Sequence, residues 1–150
     1  MQNQDFVWPT PAYNTITSKF GPRAAPTNYS SNYHYGVDIG APNGSKILAI
    51  TDGKITFVGW NGAGGYTITM SNEDLIISYM HCSPNFLVKK GDIVTKGKII
   101  GYVGPKNIYG IPNNPYKDRN GKPTNGSTTG PHLHLSMKKD GQFVNPLNYF

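Results

Sequence analysis

The chain has 150 residues, 37% hydrophobic and 15% charged, which suits one globular domain that buries about two-thirds of its unfolded surface without needing a covalent staple. Its 18 glycines, 12 prolines and 10 tyrosines, with no helical apolar period long enough for a three-turn helix, exclude a helix bundle and predict an all-β, mainly antiparallel sheet fold with little helix. The net charge of +6 favours anionic partners, but the basic residues are scattered apart from Lys89-Lys90 and Lys138-Lys139, and no recognition helix or Cys/His finger accompanies them, so nucleic acid is not expected as a partner.

The single cysteine, Cys82, rules out an intrachain disulfide and a thiolate zinc cluster. No apolar run approaches the ~18 residues of a membrane span. Met1 to Thr10 lacks the charged start and hydrophobic run of a signal peptide. The chain is therefore expected to be either an excised domain of a larger protein or one exported by another route such as phage release.

In chain order, Phe6-Val7-Trp8-Pro9 leads to Ile16-Thr17-Ser18-Lys19-Phe20, a short edge strand closed by a Gly21-Pro22 turn. Residues 24–33 are polar and read as a loop. In His34-Tyr35-Gly36-Val37-Asp38-Ile39, a straight strand would hold His34 and Asp38 about 13 Å apart, too far to share an ion, whereas a bend at Gly36 would bring them together. The same residues also suit a surface loop histidine and an ordinary turn aspartate. From Lys46 the pattern is plainly β: Ile47 to Ile50, Asp52-Gly53, then Ile55 to Val58 predict a hairpin. Tyr66 to Met70, a polar turn at Ser71 to Asp74, and Leu75 to His81 extend it into an antiparallel meander. The glycine-rich link Asn61 to Gly65 is not a nucleotide loop, because no Lys-Ser/Thr and no helix follow it. His81 ends its strand, and Cys82, facing the other way, reads as a small buried hydrophobe rather than a nucleophile.

Val88 to Gly104 contains short strands punctuated at Gly91, Gly97 and Gly101. This rhythm also occurs in folds that carry lipoyl or biotinyl lysine, but the exposed hairpin-tip lysine flanked by methionines is missing. Residues 105–128 form a long Pro/Asn/Gly/Lys-rich loop holding Tyr109, Tyr116, Asp118 and Arg119. Its length predicts a functional role as one wall of a cleft, held by packing rather than by regular strands. It delivers the chain to Pro131-His132-Leu133-His134-Leu135, where alternation puts His132 and His134 on one face, roughly 6 to 7 Å apart at Cα, and the leucines in the core. Two imidazoles on one surface suit a metal, although polar alternation alone would produce the same pattern. An Asp140-Gly141 turn and Phe143 to Pro146 read as a last hairpin.

Several of these stretches occur together and in a fixed order: Phe20-Gly21-x-Arg23, His34-x-Gly36-Val37-Asp38, Ala41-Pro42-x-Gly44, Asp52-Gly53, Tyr79-x-His81, the glycine-punctuated segment to Gly104, Gly130-Pro131-His132-Leu133-His134 and Val144-Asn145-Pro146. Spanning nearly the whole chain, they resemble the lysostaphin-type, or LytM-like, zinc metallopeptidases. The resemblance implies a single domain over residues 1–150 with long loops around a groove, the most divergent at about 105–129. It implies Zn2+ as cofactor, His34, Asp38 and His134 as its ligands, and His81 and His132 as a catalytic pair sharing proton transfer and oxyanion stabilisation. Peptide cross-links of bacterial peptidoglycan become the expected substrate, and the cell wall the expected place of action for a secreted, wall-associated or phage-borne protein. Tyr33, Tyr109 and Tyr116 are the expected substrate-binding residues.

The chemistry is consistent with that pattern. Three N/O ligands leave a position open for water, as in catalytic zinc sites. The only glutamate, Glu73, sits in a predicted turn outside any His-Glu-x-x-His, so histidine is the expected substitute as base. Two departures from the family stand out: Cys82 where leucine is common, and the length of the loop from Pro105 to Thr129. The alternative function is a non-catalytic wall-binding or scaffold relative of the same fold.

Overall fold

Residues 6–23 and 32–150 are described by the computed structural model, so the readings made for residues 1–5 and 24–31 fall outside the described residues. In chain order the strands are β1 (Ile16–Ser18), β2 (Gly21–Pro22), β3 (Tyr33–His34), β4 (Val37–Gly40), β5 (Lys46–Leu48), β6 (Gly53–Trp60), β7 (Tyr66–Asn72), β8 (Leu75–Met80), β9 (Ile93–Val94), β10 (Ile99–Tyr102), β11 (His132–Lys139) and β12 (Gln142–Val144). Among the described residues, helical geometry is confined to 3₁₀ turns at Gly62–Gly64 and Pro146–Tyr149. The protein is all-β, as its composition predicts.

One large antiparallel sheet runs in the order β1-β4-β11-β8-β7-β6-β9, with β12 paired to β11. Period-two alternation decides which face is which. On β8, Leu75, Ile77 and Tyr79 point inward while Ile76, Ser78 and Met80 point outward; on β11, Leu133, Leu135 and Met137 are fully buried. Together with Val37, Ile39, Ile55, Ile68 and Met70 they pack into one core with Ile47, Ile50, Ile100 and Val103 from in and around the two-stranded β5-β10 sheet. The buried Tyr79 hydroxyl accepts the Ile50 N–H at 3.0 Å, so its polar end is paired inside this core. The outer face of the large sheet is left for the site.

The meander β6-β7-β8 forms as predicted, and so does the final hairpin, where Asp140 and Gly141 both adopt positive φ (51° and 81°) between β11 and β12. Asp52-Gly53 is different. The predicted hairpin between Ile47–Ile50 and Ile55–Val58 does not form, because β5 pairs with β10 and β6 pairs with β7 and β9. The type I′ turn that Asp-Gly favours needs positive φ at both positions and type II′ needs it at the first, and neither Asp52 nor Gly53 adopts it. Instead, the Asp52 carboxylate accepts the Lys96 N–H at 2.7 Å and its carbonyl accepts from the Asn72 side chain at 2.7 Å, making a corner where the chain crosses between sheets.

The segment from Pro105 to Gly130 contains no regular strand, only the isolated bridges Asn107↔Thr124 and Lys117↔Pro123. Polar contacts hold it more than apolar packing does, with Ile108 its buried aliphatic side chain. The Asp118 carboxylate accepts from the backbone of Asn120 (2.9 Å) and Lys122 (3.0 Å), from Asn107 Nδ2 (3.2 Å), and pairs with Lys106 (3.4 Å). Those contacts hold its carboxyl at about 2, the Lys122 N–H contributing most.

Candidate active site

The register of β4 on β11 builds the first part of the site. Asp38 lies directly across from His134 and Gly40 across from His132, so the Asp38 carboxylate and both imidazoles share the outer face. His34 arrives from β3, which pairs with β2 rather than continuing into β4. The break falls at Tyr35-Gly36, as the His34–Asp38 spacing requires. Gly36 has a second role: a Cβ there would meet the Leu135 carbonyl oxygen and the His134 ring, so any other residue would push His134 out of place.

The donor atoms converge closely. Asp38 Oδ1 lies 3.2 Å from His34 Nε2 and 3.0 Å from His134 Nδ1, and those two nitrogens are 3.1 Å apart. His132 Nε2 stands 3.4 Å from the same oxygen. A carbonyl oxygen can only accept, which assigns two protons. His34 Nδ1–H donates to Lys19 O (3.0 Å), beside Ser18 Oγ at 3.2 Å, and His132 Nδ1–H donates to Gly130 O (2.9 Å). His34 Nε2 and His132 Nε2 are thereby left as bare lone pairs facing a carboxylate. A cation between them would pair all of these acceptors at once. Among the described residues, His34, Asp38 and His134 are close enough to hold one metal ion together.

Burial on its own would raise the Asp38 carboxyl, but the adjacent His132, His134 and His34 imidazoles outweigh it and hold the group far below the usual range. Arg23 flanks the other oxygen, with its guanidinium 3.8 Å from Asp38 Oδ2 and 3.3 Å from Ser18 Oγ. Burial lowers His132 as well, yet the adjacent Asp38 carboxylate more than compensates and raises it.

His81 is held differently. It follows β8 in a left-handed conformation (φ 63°), its N–H donating to Gly64 O at 2.8 Å. Its Nδ1–H donates to Asn125 O at 2.7 Å, and its ring centroid is 4.9 Å from that of His132. Burial, aided by the neighbouring His132 and His134, pushes the imidazole down to about 3. Cys82 behind it is fully buried, with its thiol pushed up to about 12 by burial, which fits a core residue and not a nucleophile.

An open cleft surrounds these groups. One lobe adds Thr17, Ser18, Arg23, Thr128 and Thr129; the other adds Tyr33, Tyr35, Asn61, Ala63 and Met80. Tyr33 is therefore at the cleft, whereas Tyr109 and Tyr116 are not among its lining residues, and Tyr109 is 66% exposed. The middle of the long loop folds back on its own stem through its two bridges, and Ser127 to Thr129 at its end form the wall instead. Sequence reasoning gave no role to Ser18, Arg23, Asn125 or Thr128. Arg23 carried a usable signal in Phe20-Gly21-x-Arg23; the others carried none.

The family model for peptidase family M23 matches residues 32–146. The chain belongs to peptidase family M23. The DD-carboxypeptidase/endopeptidase Mpg of Neisseria meningitidis serogroup B is 33% identical over 137 residues, covering 91% of this chain and 27% of that protein. The catalytic domain of the antimicrobial peptidase lysostaphin from Staphylococcus simulans superposes with a TM-score of 0.70 at 29% identity, covering 91% of each chain. A zinc-containing peptidase from Vibrio cholerae superposes with a TM-score of 0.72 at 28% identity, over 93% of this chain and 38% of that one. The M23 chain spans about a quarter of the length of the curated relatives it matches. Its likeness is to a lysostaphin- and LytM-type metallopeptidase, and the family points to a metal for the His34, Asp38 and His134 group.

Proposed function

We propose that this M23 chain is a zinc-dependent endopeptidase that hydrolyses peptide cross-links of bacterial peptidoglycan and acts at the cell wall. In this reading His34, Asp38 and His134 hold the zinc, while His81 and His132 handle protons. The observation that carries it is the convergence of His34 Nε2, His134 Nδ1 and Asp38 Oδ1. Their separations of 3.0 to 3.2 Å approach the edge of about 3.3 Å expected for a tetrahedron with bonds near 2.0–2.1 Å. When bound, zinc supplies Lewis acidity that lowers the pKa of water and polarises the scissile carbonyl.

The chain's own residues do the rest. With Nδ1–H of both rings committed to carbonyl oxygens, His81 and His132 each start with a bare Nε2, so each has to take up a proton before it can donate one. His132, kept the more basic by Asp38, accepts the proton from the attacking water and passes it to the leaving amine. His81, whose bare Nε2 lies across the cleft edge, is the second proton-handling group, and it supports the developing oxyanion only with a second proton drawn from the attacking water. Arg23 and Ser18 orient the ligands from behind, and Tyr33 offers a rigid surface to the peptide.

Digestion of purified walls of different cross-link chemistry, with amino-group assay and mass analysis of the released ends, tests the proposal. The expected result is new amino termini that depend on zinc and disappear with a chelator. Binding to walls with no new amino groups in the zinc-loaded protein would overturn it in favour of a wall-binding relative.

A further inference from the structure

The long loop before β11 is tied to the site through one side chain. Asn125 is fully buried. Its Oδ1 accepts from Tyr66 N–H (3.0 Å), and its Nδ2 donates to Cys82 O (2.9 Å) and Pro105 O (3.3 Å). Its backbone N–H donates to Lys106 O (2.8 Å), and its carbonyl accepts from His81 Nδ1–H (2.7 Å). One residue thus joins the start of β7, the residue after His81 and the root of the loop around the oxygen that holds the His81 ring.

The surroundings are shaped for this amide. A Cβ at Gly65 would strike the Asn125 side-chain oxygen, and a Cβ at Gly104 would strike both the Cys82 carbonyl and Asn125 Nδ2. Only a carboxamide supplies an acceptor on one side and two donor hydrogens on the other. An aspartate would set oxygen against two carbonyl oxygens, and an alanine would leave three backbone groups without their partner. His81 itself sits at a φ of 63°, a conformation that a non-glycine residue keeps only when its surroundings impose it. The bond from Asn125 to Cys82 O anchors the very next carbonyl.

We propose that Asn125 is a positioning residue for His81: its amide clamps the turn and its carbonyl fixes the Nδ1–H tautomer, which leaves Nε2 as the atom available to the cleft. The proposal rests on reading His81 as a proton-handling group. It also assigns this part of the loop's work to its anchor, because the three side-chain bonds reach residues outside the stretch from Asn107 to Pro123.

The His81 tautomer can be read by long-range 1H–15N spectroscopy on the metal-free protein, with no activity involved. Wild type is expected to show Nδ1 protonated and Nε2 bare at neutral pH. Asn125→Ala and Asn125→Asp should move His81 towards the Nε2-protonated or a mixed form. After zinc loading, kcat on soluble cross-linked wall peptides should fall on the order of 10-fold or more, with KM within about 2-fold and zinc content unchanged, as for other residues that orient a site from behind. A variant with residues 107–123 replaced by a short link but Asn125 kept should retain the wild-type His81 signal. An unchanged tautomer or unchanged kcat in a folded Asn125 variant overturns the proposal. If the Asn125 variants do not fold, wild type still decides: a His81 protonated at Nε2 overturns it. Wild-type protein that cleaves no wall peptide would overturn the endopeptidase reading and leave the tautomer result standing.

Discussion

His132 and His81 face one cleft, yet two different kinds of structure hold them. His132 belongs to β11, bonded into the sheet between β4 and β8, with Leu133 and Leu135 anchoring the strand in the core. His81 stands beyond the end of β8 in a left-handed turn, fixed by a carbonyl that arrives from 44 residues further along the chain. The first is placed by local alternation together with the sheet. The second is placed by a loop anchor. On the proposed roles, a site assembled this way would separate the stable task of holding an ion from the more delicate task of aiming a proton carrier.

The sharpest way to break the comparison is at the metal group. On the proposed assignment, Asp38→Ala should lose both zinc and activity, since its carboxylate is the shared neighbour of three imidazoles. Retained stoichiometric zinc, measured by elemental analysis, would remove Asp38 from the ligand set. Next come the two histidines themselves. His132→Ala and His81→Ala should keep zinc and lose on the order of 10²-fold or more in rate. Zinc loss in either would move that residue among the ligands.

The scaffold differs from the loop in stability too. Leu133→Ala removes a fully buried side chain beneath both β11 histidines and should cost about 2–5 kcal/mol in denaturant unfolding. Replacing residues 107–123 should cost much less than that, because Ile108 is the aliphatic side chain the stretch buries. It should also leave zinc binding intact, and equal losses from the two changes would erase the distinction.

The smallest effect concerns acid. The folded Asp118 carboxyl titrates at about 2 against an ordinary aspartate value of 3.8, so its support for the loop is complete above about 3.8 and is lost as pH falls through about 2. Asp118→Asn should therefore loosen the loop near neutral pH, seen as faster hydrogen exchange at the Asn120 and Lys122 amides, with the β11 amides unaffected. The difference from wild type should shrink as the pH drops towards 2.

Most of what alternation controls was legible in the sequence: the face shared by His132 and His134, the buried leucines between them, the meander, and the Asp140-Gly141 turn. The spacing showed that Gly36 could allow a bend but left an ordinary loop equally open, and gave no sign of the close approach of the His134 ring that forbids a side chain there. Asp52-Gly53 misled because the dipeptide's turn preference is local, while strand pairing depends on which edges are free, and β10 takes the edge of β5. Tyr109 and Tyr116 lie outside the cleft lining for a similar reason. Residue type indicates what a side chain does well at a cleft, but whether a loop's middle or its end reaches the cleft depends on bridges such as Asn107↔Thr124 that no period announces. Asn125 was invisible, because in a Pro/Asn/Gly-rich stretch an asparagine that clamps three backbone groups looks like any other turn residue.

The central claim is that one zinc is held by His34, Asp38 and His134 while His81 and His132 stay outside its ligand shell. Anomalous diffraction at the zinc edge from crystals of the zinc-loaded protein tests it directly. The account predicts a single strong peak within about 2.0 to 2.2 Å of His34 Nε2, Asp38 Oδ1 and His134 Nδ1, with both other imidazoles beyond bonding distance. A peak bonded to His81 or His132 in place of one of the three, or no peak in the cleft, would contradict it.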